Sequence, residues 1–165
     1  MAENKVLAIS TPTLLSLVGI PPTTLNYWVN RGFCTPSLDT GVGNRATRYW
    51  TVRDVLVIRA IKSLRDAGCS LQNIARIDAL LTGAWGLGLA DAVLVYDGRD
   101  VLIERERTLI SLLSSHGQGV FAEVLTFVAL PLSTWAEDAE KRGELIDVDE
   151  IRARRAGRRN QRGVA

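Results

Sequence analysis

Thr23, Thr24 and Asn26 fall close together in the chain and are followed by Tyr27, Asn30 and Arg31. A carboxamide carries a donor and an acceptor side by side, and a threonine carries a hydroxyl and a methyl. That is the chemistry of reading base edges: Asn matches adenine in bidentate fashion, and Thr reaches a polar edge or a thymine methyl. Further along, Arg45, Thr47, Arg48 and Tyr49 place two guanidiniums, a hydroxyl and a phenol in a stretch without acids. Such a set suits phosphate oxygens, where charge and reach count for more than sequence. Thr13, a little upstream, completes the candidate set.

The elements that must hold these residues follow from local signals. Ser10 or Thr11 can cap a helix with Pro12 at its start. Leu14, Leu15, Leu17 and Val18 give that helix an apolar side, and Gly19 closes it. Ile20-Pro21-Pro22 makes the turn, and Pro22 can open a second helix. Leu25 with Trp28 or Val29 marks the buried face of that helix, so Thr23, Thr24, Asn26, Tyr27 and Asn30 lie on its other faces. Gly32 stops it. Two short helices about such a turn are the helix-turn-helix plan, whose second helix enters the major groove. Gly41, Gly43 and Asn44 then form a turn between two extended pieces, a basic-tipped wing. Trp50 is expected to lie in the core beneath it. Thr51 and Asp54 form a capping-box variant. Val55, Ile58, Ile61 and Leu64 share a face of the third helix, which Gly68 ends. Ser70 caps a fourth helix with Leu71, Ile74, Ile77 and Leu81 at helical spacing.

Other chemistries find little support. His116 is the only histidine, which excludes a histidine-based triad or a multi-histidine metal site within one chain. Cys34 and Cys69 make no CxxC pair and read as packing residues. Gly117-Gln118-Gly119 follows a predicted helix and precedes a strand, the reverse of a nucleotide-binding loop, so it reads as a turn. Acid pairs such as Asp97 with Asp100 or Glu137 with Asp138 read as solvated turns and faces. No enzyme, cofactor or metal is expected.

The net charge of +2 hides three zones. Residues 1–84 hold nine Lys/Arg against five Asp/Glu, residues 85–150 hold five against thirteen, and residues 151–165 hold six arginines and no acid. A basic front suits a nucleic-acid face, and the acidic stretch suits a different task. No apolar run approaches a membrane span and no secretion signal is visible, so a cytoplasmic, nucleoid-associated location is expected.

Beyond the Gly-rich stretch 82–90, residues 93–96 read as a strand, Asp97-Gly98 as a hairpin turn and 101–103 as its partner. Residues 107–114 fit a short helix. Residues 120–130 read as a buried or interface strand, and 132–142 as a last helix with Trp135 as its anchor. The arginine-rich end reads as disordered, adding non-specific phosphate attraction or nothing.

The front half resembles the MerR family of transcription regulators. The resemblance rests on Gly19-Ile20, Thr24-Leu25-Asn26-Tyr27-Trp28, Gly32-Phe33, the run from Arg48 to Val55, and Asp66-Ala67-Gly68-Cys69-Ser70-Leu71, in order and at near-family spacing. It is similar to the actinobacterial type, in which a small C-terminal α/β domain follows the reader. The resemblance implies that Tyr27, Arg31, Arg48 and Tyr49 lie near the DNA backbone and that Thr23 and Asn26 face the groove. Many relatives carry Arg at those last two positions.

The expected fold is therefore α+β: a MerR-like winged helix-turn-helix domain over 8–82, a small α/β dimerisation or effector domain over 91–145, and a disordered basic tail over 146–165. The expected function is a sequence-specific regulator that binds a two-fold site on double-stranded DNA as a homodimer. A protein partner or small effector would engage the acidic half. No long coiled coil is visible after Leu81, so the 120–130 run is the candidate dimer element. The rivals are an architectural DNA-binding protein of the excisionase, partition or filament type, and an antitoxin-like protein-interaction module.

Overall fold

The computed structural model describes residues 4–40, 47–92, 94–96, 100–105, 108–113, 119–120, 128–129 and 132–162. In chain order the elements are β1 (Lys5–Ser10), α1 (Thr11–Val18), α2 (Pro22–Asn30), β2 (Leu38–Asp39), β3 (Arg48–Thr51), α3 (Val52–Asp66) and α4 (Leu71–Trp85). Then follow β4 (Leu94–Tyr96), β5 (Val101–Arg105), β6 (Thr108–Ser111), β7 (Gly119–Val120) and β8 (Val128–Ala129). The chain closes with α5 (Leu132–Arg142), β9 (Glu144–Asp147) and α6 (Val148–Arg162). The α+β class is as expected. Two compact units result, one of residues 1–55 with 135–165 and one of residues 56–134.

The first unit is built on a four-stranded antiparallel sheet in the order β2-β3-β1-β9. Its central strand β1 has Ala8 and Ile9 both fully buried. Successive strand residues point to opposite faces, so this strand is covered on both sides. Ile9 pairs with Trp50 on one flank, and Leu7 pairs with Leu145 on the other. Leu14, Val18, Leu25, Trp28, Trp50 and Val55 supply the rest of the core from the N-terminal elements. Ala139, Val148 and Ile151 supply it from the C-terminal ones.

The arginine-rich end is a correction to the expected disorder. Residues 144–147 form a strand, and residues 148–162 form a helix. Arginine content argued against a packed core, but local signals outweigh it. The Asp147 carboxylate accepts from the backbone N–H groups of Asp149 at 2.9 Å and Glu150 at 3.2 Å, which caps the helix start. Asp149 and Glu150 lie in the first turn, where the helix dipole favours acids. They pair with Arg152 and Arg154 one turn on. Val148 and Ile151 are buried and pin the helix to its unit. Residues 135–165 thus fold with the front of the chain, whereas composition and local pattern group 91–145 together and leave 146–165 as a tail.

In the second unit, α4 carries Ile74, Ile77 and Leu81 on its buried side, as their spacing predicts. It runs past Leu81 to Trp85 before Gly86 caps it in the left-handed conformation, so part of the expected loose connection is helical. A five-stranded antiparallel sheet follows in the order β7-β6-β5-β4-β8. The β4–β5 hairpin is where it was expected, with Val95 opposite Leu102. Two expectations need correction. Residues Thr108–Ser111 are a strand paired with β5, not a helix. So short an apolar run carries no clear period, and pairing to β5 decides the outcome. The 120–130 run is not one strand, because Val120 and Val128 belong to strands at opposite edges of the sheet. The interior of that run, Asp97-Gly98, His116 and Gly117-Gln118 lie outside the described residues. Asp100 is buried rather than solvated; it accepts from the Ser111 hydroxyl at 2.5 Å and from the Leu113 backbone N–H at 2.9 Å.

Candidate nucleic-acid interface

Ser10 caps α1, its hydroxyl accepting from the Thr13 backbone N–H at 3.4 Å. The hydroxyls of Ser10 and Thr13 are also 3.0 Å apart. Thr13 is therefore half-buried and engaged in the cap. Gly19 sits at φ 71, ψ 43, a conformation any Cβ would strain, and its N–H returns to the Leu15 carbonyl at 2.8 Å. That left-handed residue turns the chain so that Pro22 can start α2 with its ring already at helical φ.

α2 buries Leu25 and Trp28 and nothing else completely. Thr23, Asn26, Tyr27 and Asn30 are exposed on it, and Thr24 is half-buried. Tyr27 is 48% exposed, unusual for a large aromatic, and the Arg31 guanidinium carbon stands 5.6 Å from its ring centre. That distance permits a cation–π contact. Arg31 is the exposed C-cap, and Gly32 at φ 76 turns the chain away.

The wing is held from two sides. At its base Thr40 N–H donates to the Thr47 carbonyl at 3.0 Å, and Thr47 N–H donates to the Thr40 hydroxyl at 2.7 Å. The tip, with Gly41, Gly43, Asn44 and Arg45, lies outside the described residues. Trp50 is fully buried, as expected. Its ring N–H donates to the Thr11 hydroxyl at 3.0 Å, and that hydroxyl donates to the Arg48 carbonyl at 3.2 Å. Thr11 thus ties the wing strand to α1, a role its sequence position did not reveal. Tyr49 is half-buried and pairs with Leu38 and Ser10 in the sheet. Thr47 is exposed and Arg48 half-buried.

Arg48 joins the wing strand to α2, its Nη1 donating to Asn26 Oδ1 at 3.0 Å. A guanidinium has donors only, so it orients the carboxamide with its oxygen toward Arg48. The Asn26 amide N–H groups then turn away from Arg48. No sequence signal marks this pair, because it depends on the placement of β3 against α2.

Asp54 organises the approach to α3. Its carboxylate accepts from the Thr51 N–H at 2.9 Å, while Asp54 N–H donates to the Thr51 hydroxyl at 3.3 Å. This is the expected capping box. The same carboxylate also accepts from the Ser37 N–H at 3.0 Å and the Ser37 hydroxyl at 2.8 Å, fixing the loop after α2. Burial, aided by the Asp54 carboxylate and opposed by Arg48, pushes the nearby Cys34 thiol up to about 12. It stays a neutral packing group. Burial also raises Cys69, with Arg65 acting the other way. Among the described residues no cluster of three or more His, Cys, Asp or Glu is placed to hold a metal. Nor is any described helix long and apolar enough to cross a membrane.

Residues 10–80 match the MerR HTH family regulatory protein pattern. Residues 10–80 belong to the MerR family. An uncharacterized HTH-type transcriptional regulator of Mycobacterium bovis is 31% identical over 110 residues, covering 67% of this chain and 49% of the relative. Two Mycobacterium tuberculosis regulators of the same description, from strains CDC 1551 and H37Rv, match at 31% over 110 residues with the same coverage. The aligned length exceeds the MerR segment, so the likeness continues outside it. This chain spans about half the length of these relatives, 49%. No solved structure matches it. The MerR segment contains every candidate contact residue named from the sequence, from Thr13 to Tyr49.

Proposed function

We propose that this chain is a DNA-binding transcription regulator of the MerR type that binds a two-fold site as a homodimer. The observation that carries the reading is the outward face of α2, where Thr23, Asn26, Tyr27 and Asn30 are exposed, with Arg48 bonded to Asn26. The mycobacterial relatives' description as transcriptional regulators supports it. In this reading α2 lies in the major groove. Thr23, Thr24 and Asn26 meet base edges. Tyr27, Asn30, Arg31, Arg48 and, at the wing, Arg45, Thr47 and Tyr49 meet the backbone, with Thr13 at the margin. With its oxygen held by Arg48, Asn26 presents amide donors toward base acceptors in the groove. The acidic stretch 85–150 would serve a protein partner or small effector.

Binding measurements separate the two kinds of contact. Asn26→Ala should relax discrimination between sites by about 1–3 kcal/mol. Arg48→Ala should weaken binding to all sequences and lower the salt slope by about 1. The two residues touch, so the double variant should depart from additivity. If neither substitution alters duplex affinity, the docking is wrong. Genome-wide mapping of bound DNA tests the rest. Isolated palindromes bound by a dimer in light scattering support a promoter regulator, whereas tandem direct repeats point to an architectural filament.

A further inference from the structure

Among the described residues, two large apolar side chains stand exposed, Tyr27 and Leu145. Tyr27 lies on the proposed DNA face, whereas Leu145 lies on β9 and is 68% exposed. Among the described strands β9 is an outer one, with β1 on its inner side. In an antiparallel ladder, alternate residues turn their backbone groups toward the neighbouring strand and away from it. The Val148 N–H donates to the Asn4 carbonyl at 3.0 Å, so Ile146 and Glu144 also face β1, opposite Val6 and Ala8. Leu145 therefore turns its N–H and C=O to the outer edge, and Asp147 turns its N–H there. Such an edge is a template for another strand, and proteins commonly blunt it with charge or proline. Here the residue at its centre is a leucine, on the same face as its cross-strand neighbour Leu7, which is half-buried.

We propose that β9 pairs with β9 of a second copy, antiparallel about a two-fold axis at Leu145, joining two four-stranded sheets into one. The proposal rests on the homodimer reading and gives it an interface. Only residues with outward backbone groups can form the bonded pairs of a new ladder. The register that sets Leu145 against Leu145 of the second copy meets this condition and engages the whole strand. Leu145 exchanges both bonds with its copy, and the Asp147 N–H reaches the Gly143 carbonyl of the other chain. Leu7, Leu145 and their copies then form one apolar row across the sheet. The flanks of β9 argue for a second copy as the occupant, because they differ in sign. Lys141 and Arg142 end α5 before it, and Asp149 and Glu150 begin α6 after it, all exposed. Antiparallel pairing brings the basic end of each copy toward the acidic end of the other. The two acids also pair with Arg152 and Arg154. The flanks therefore orient the copies, while the backbone bonds and the leucines hold them.

The test uses the full chain. Light scattering across a concentration series gives the mass of the wild type and of Leu145→Lys. The exposed site accepts lysine, a residue common on free edges, so the variant should melt as the wild type does while its dimer dissociates at least about tenfold more readily. Cysteine crosslinking reports the register. Bonded pairs in an antiparallel ladder have Cα atoms about 5.5 Å apart, within reach of a disulfide. Leu145→Cys should therefore yield a covalent dimer under mild oxidation, with the buried Cys34 and Cys69 left as thiols. Glu144→Cys, also exposed but on the other face, should not, because its two copies would lie beyond the limit of about 7 Å. A dimer that survives Leu145→Lys, or equal crosslinking from both cysteine variants, overturns the β9 pairing and leaves the homodimer to another surface. A wild type that stays monomeric at every concentration overturns the homodimer reading and the pairing together, and leaves the edge to a strand of another protein.

Discussion

α2 and α6 belong to the same unit and both are rich in polar residues, yet they are held in opposite ways. α2 is nine residues long, has no charge within it, and is pinned by Leu25 and Trp28. α6 is fifteen residues long, rich in arginine, and has Val148 and Ile151 buried at its first turns. Discrimination between bases needs donors and acceptors held in a fixed geometry, so a helix that reads bases must be pinned by its core. Orienting one copy against another tolerates more slack, because charge acts over a Debye length of about 10 Å at moderate salt. In the proposed reading, the contrast fits a different physical job for each helix.

The largest effect should come from removing what pins α2. Trp28 is 5% exposed. Trp28→Ala should cost about 3–5 kcal/mol in urea unfolding, through reduced burial and the cavity left behind. Arg154→Gln in α6 should stay within about 0.5 kcal/mol of wild type, since its pair with Glu150 is exposed. A Trp28→Ala protein as stable as wild type would remove the basis for calling α2 the rigid element.

Much of this contrast is legible in the chain, but unevenly. Helix ends are readable because Ser10, Gly19, Pro22, Gly32, Thr51, Gly68 and Ser70 act within one turn of themselves. The exposed set on α2 follows from the spacing of Leu25 and Trp28 alone. What escapes depends on partners far away in sequence. β1 shows no alternation, since Ala8 and Ile9 are both buried, and its neighbours lie at 48–51 and 144–147. The Arg48–Asn26 bond and the hold of Asp54 on Ser37 likewise require tertiary placement. The strand and helix at the end are hidden by arginine content, which reports on solvation and is silent on capping.

A smaller effect probes how β9 is joined to the sheet. Gly143 stands between α5 and β9, where an added Cβ would lie 2.8 Å from Leu7 Cγ and 2.9 Å from its Cδ1. The glycine lets the chain pass over β1 before β9 pairs with it. Gly143→Ala should cost about 1–3 kcal/mol by overpacking. Hydrogen exchange should locate the loss at the β1–β9 pairing, with α2 protected as before. Equal loosening of α2 would mean that the two ends of the unit are not separable in stability.

The smallest expected effect lies inside α6. Gly157 sits mid-helix in α6, and nothing lies within 4 Å of where its Cβ would be. Glycine there costs the helix roughly 0.5–1 kcal/mol relative to alanine. Gly157→Ala should therefore raise helicity in circular dichroism and raise unfolding stability by at most about 0.5–1 kcal/mol. Its effect on self-association separates two ways α6 can serve the proposed dimer. If only the first turn of α6 meets the second copy, beside β9, the alanine variant should dissociate at the same concentration as wild type. If the second half of α6 meets it too, stiffening the helix at Gly157 should shift that concentration, and the interface is larger than the β9 edge. Neither outcome should alter the discrimination proposed for Asn26, since α2 is held by its own core.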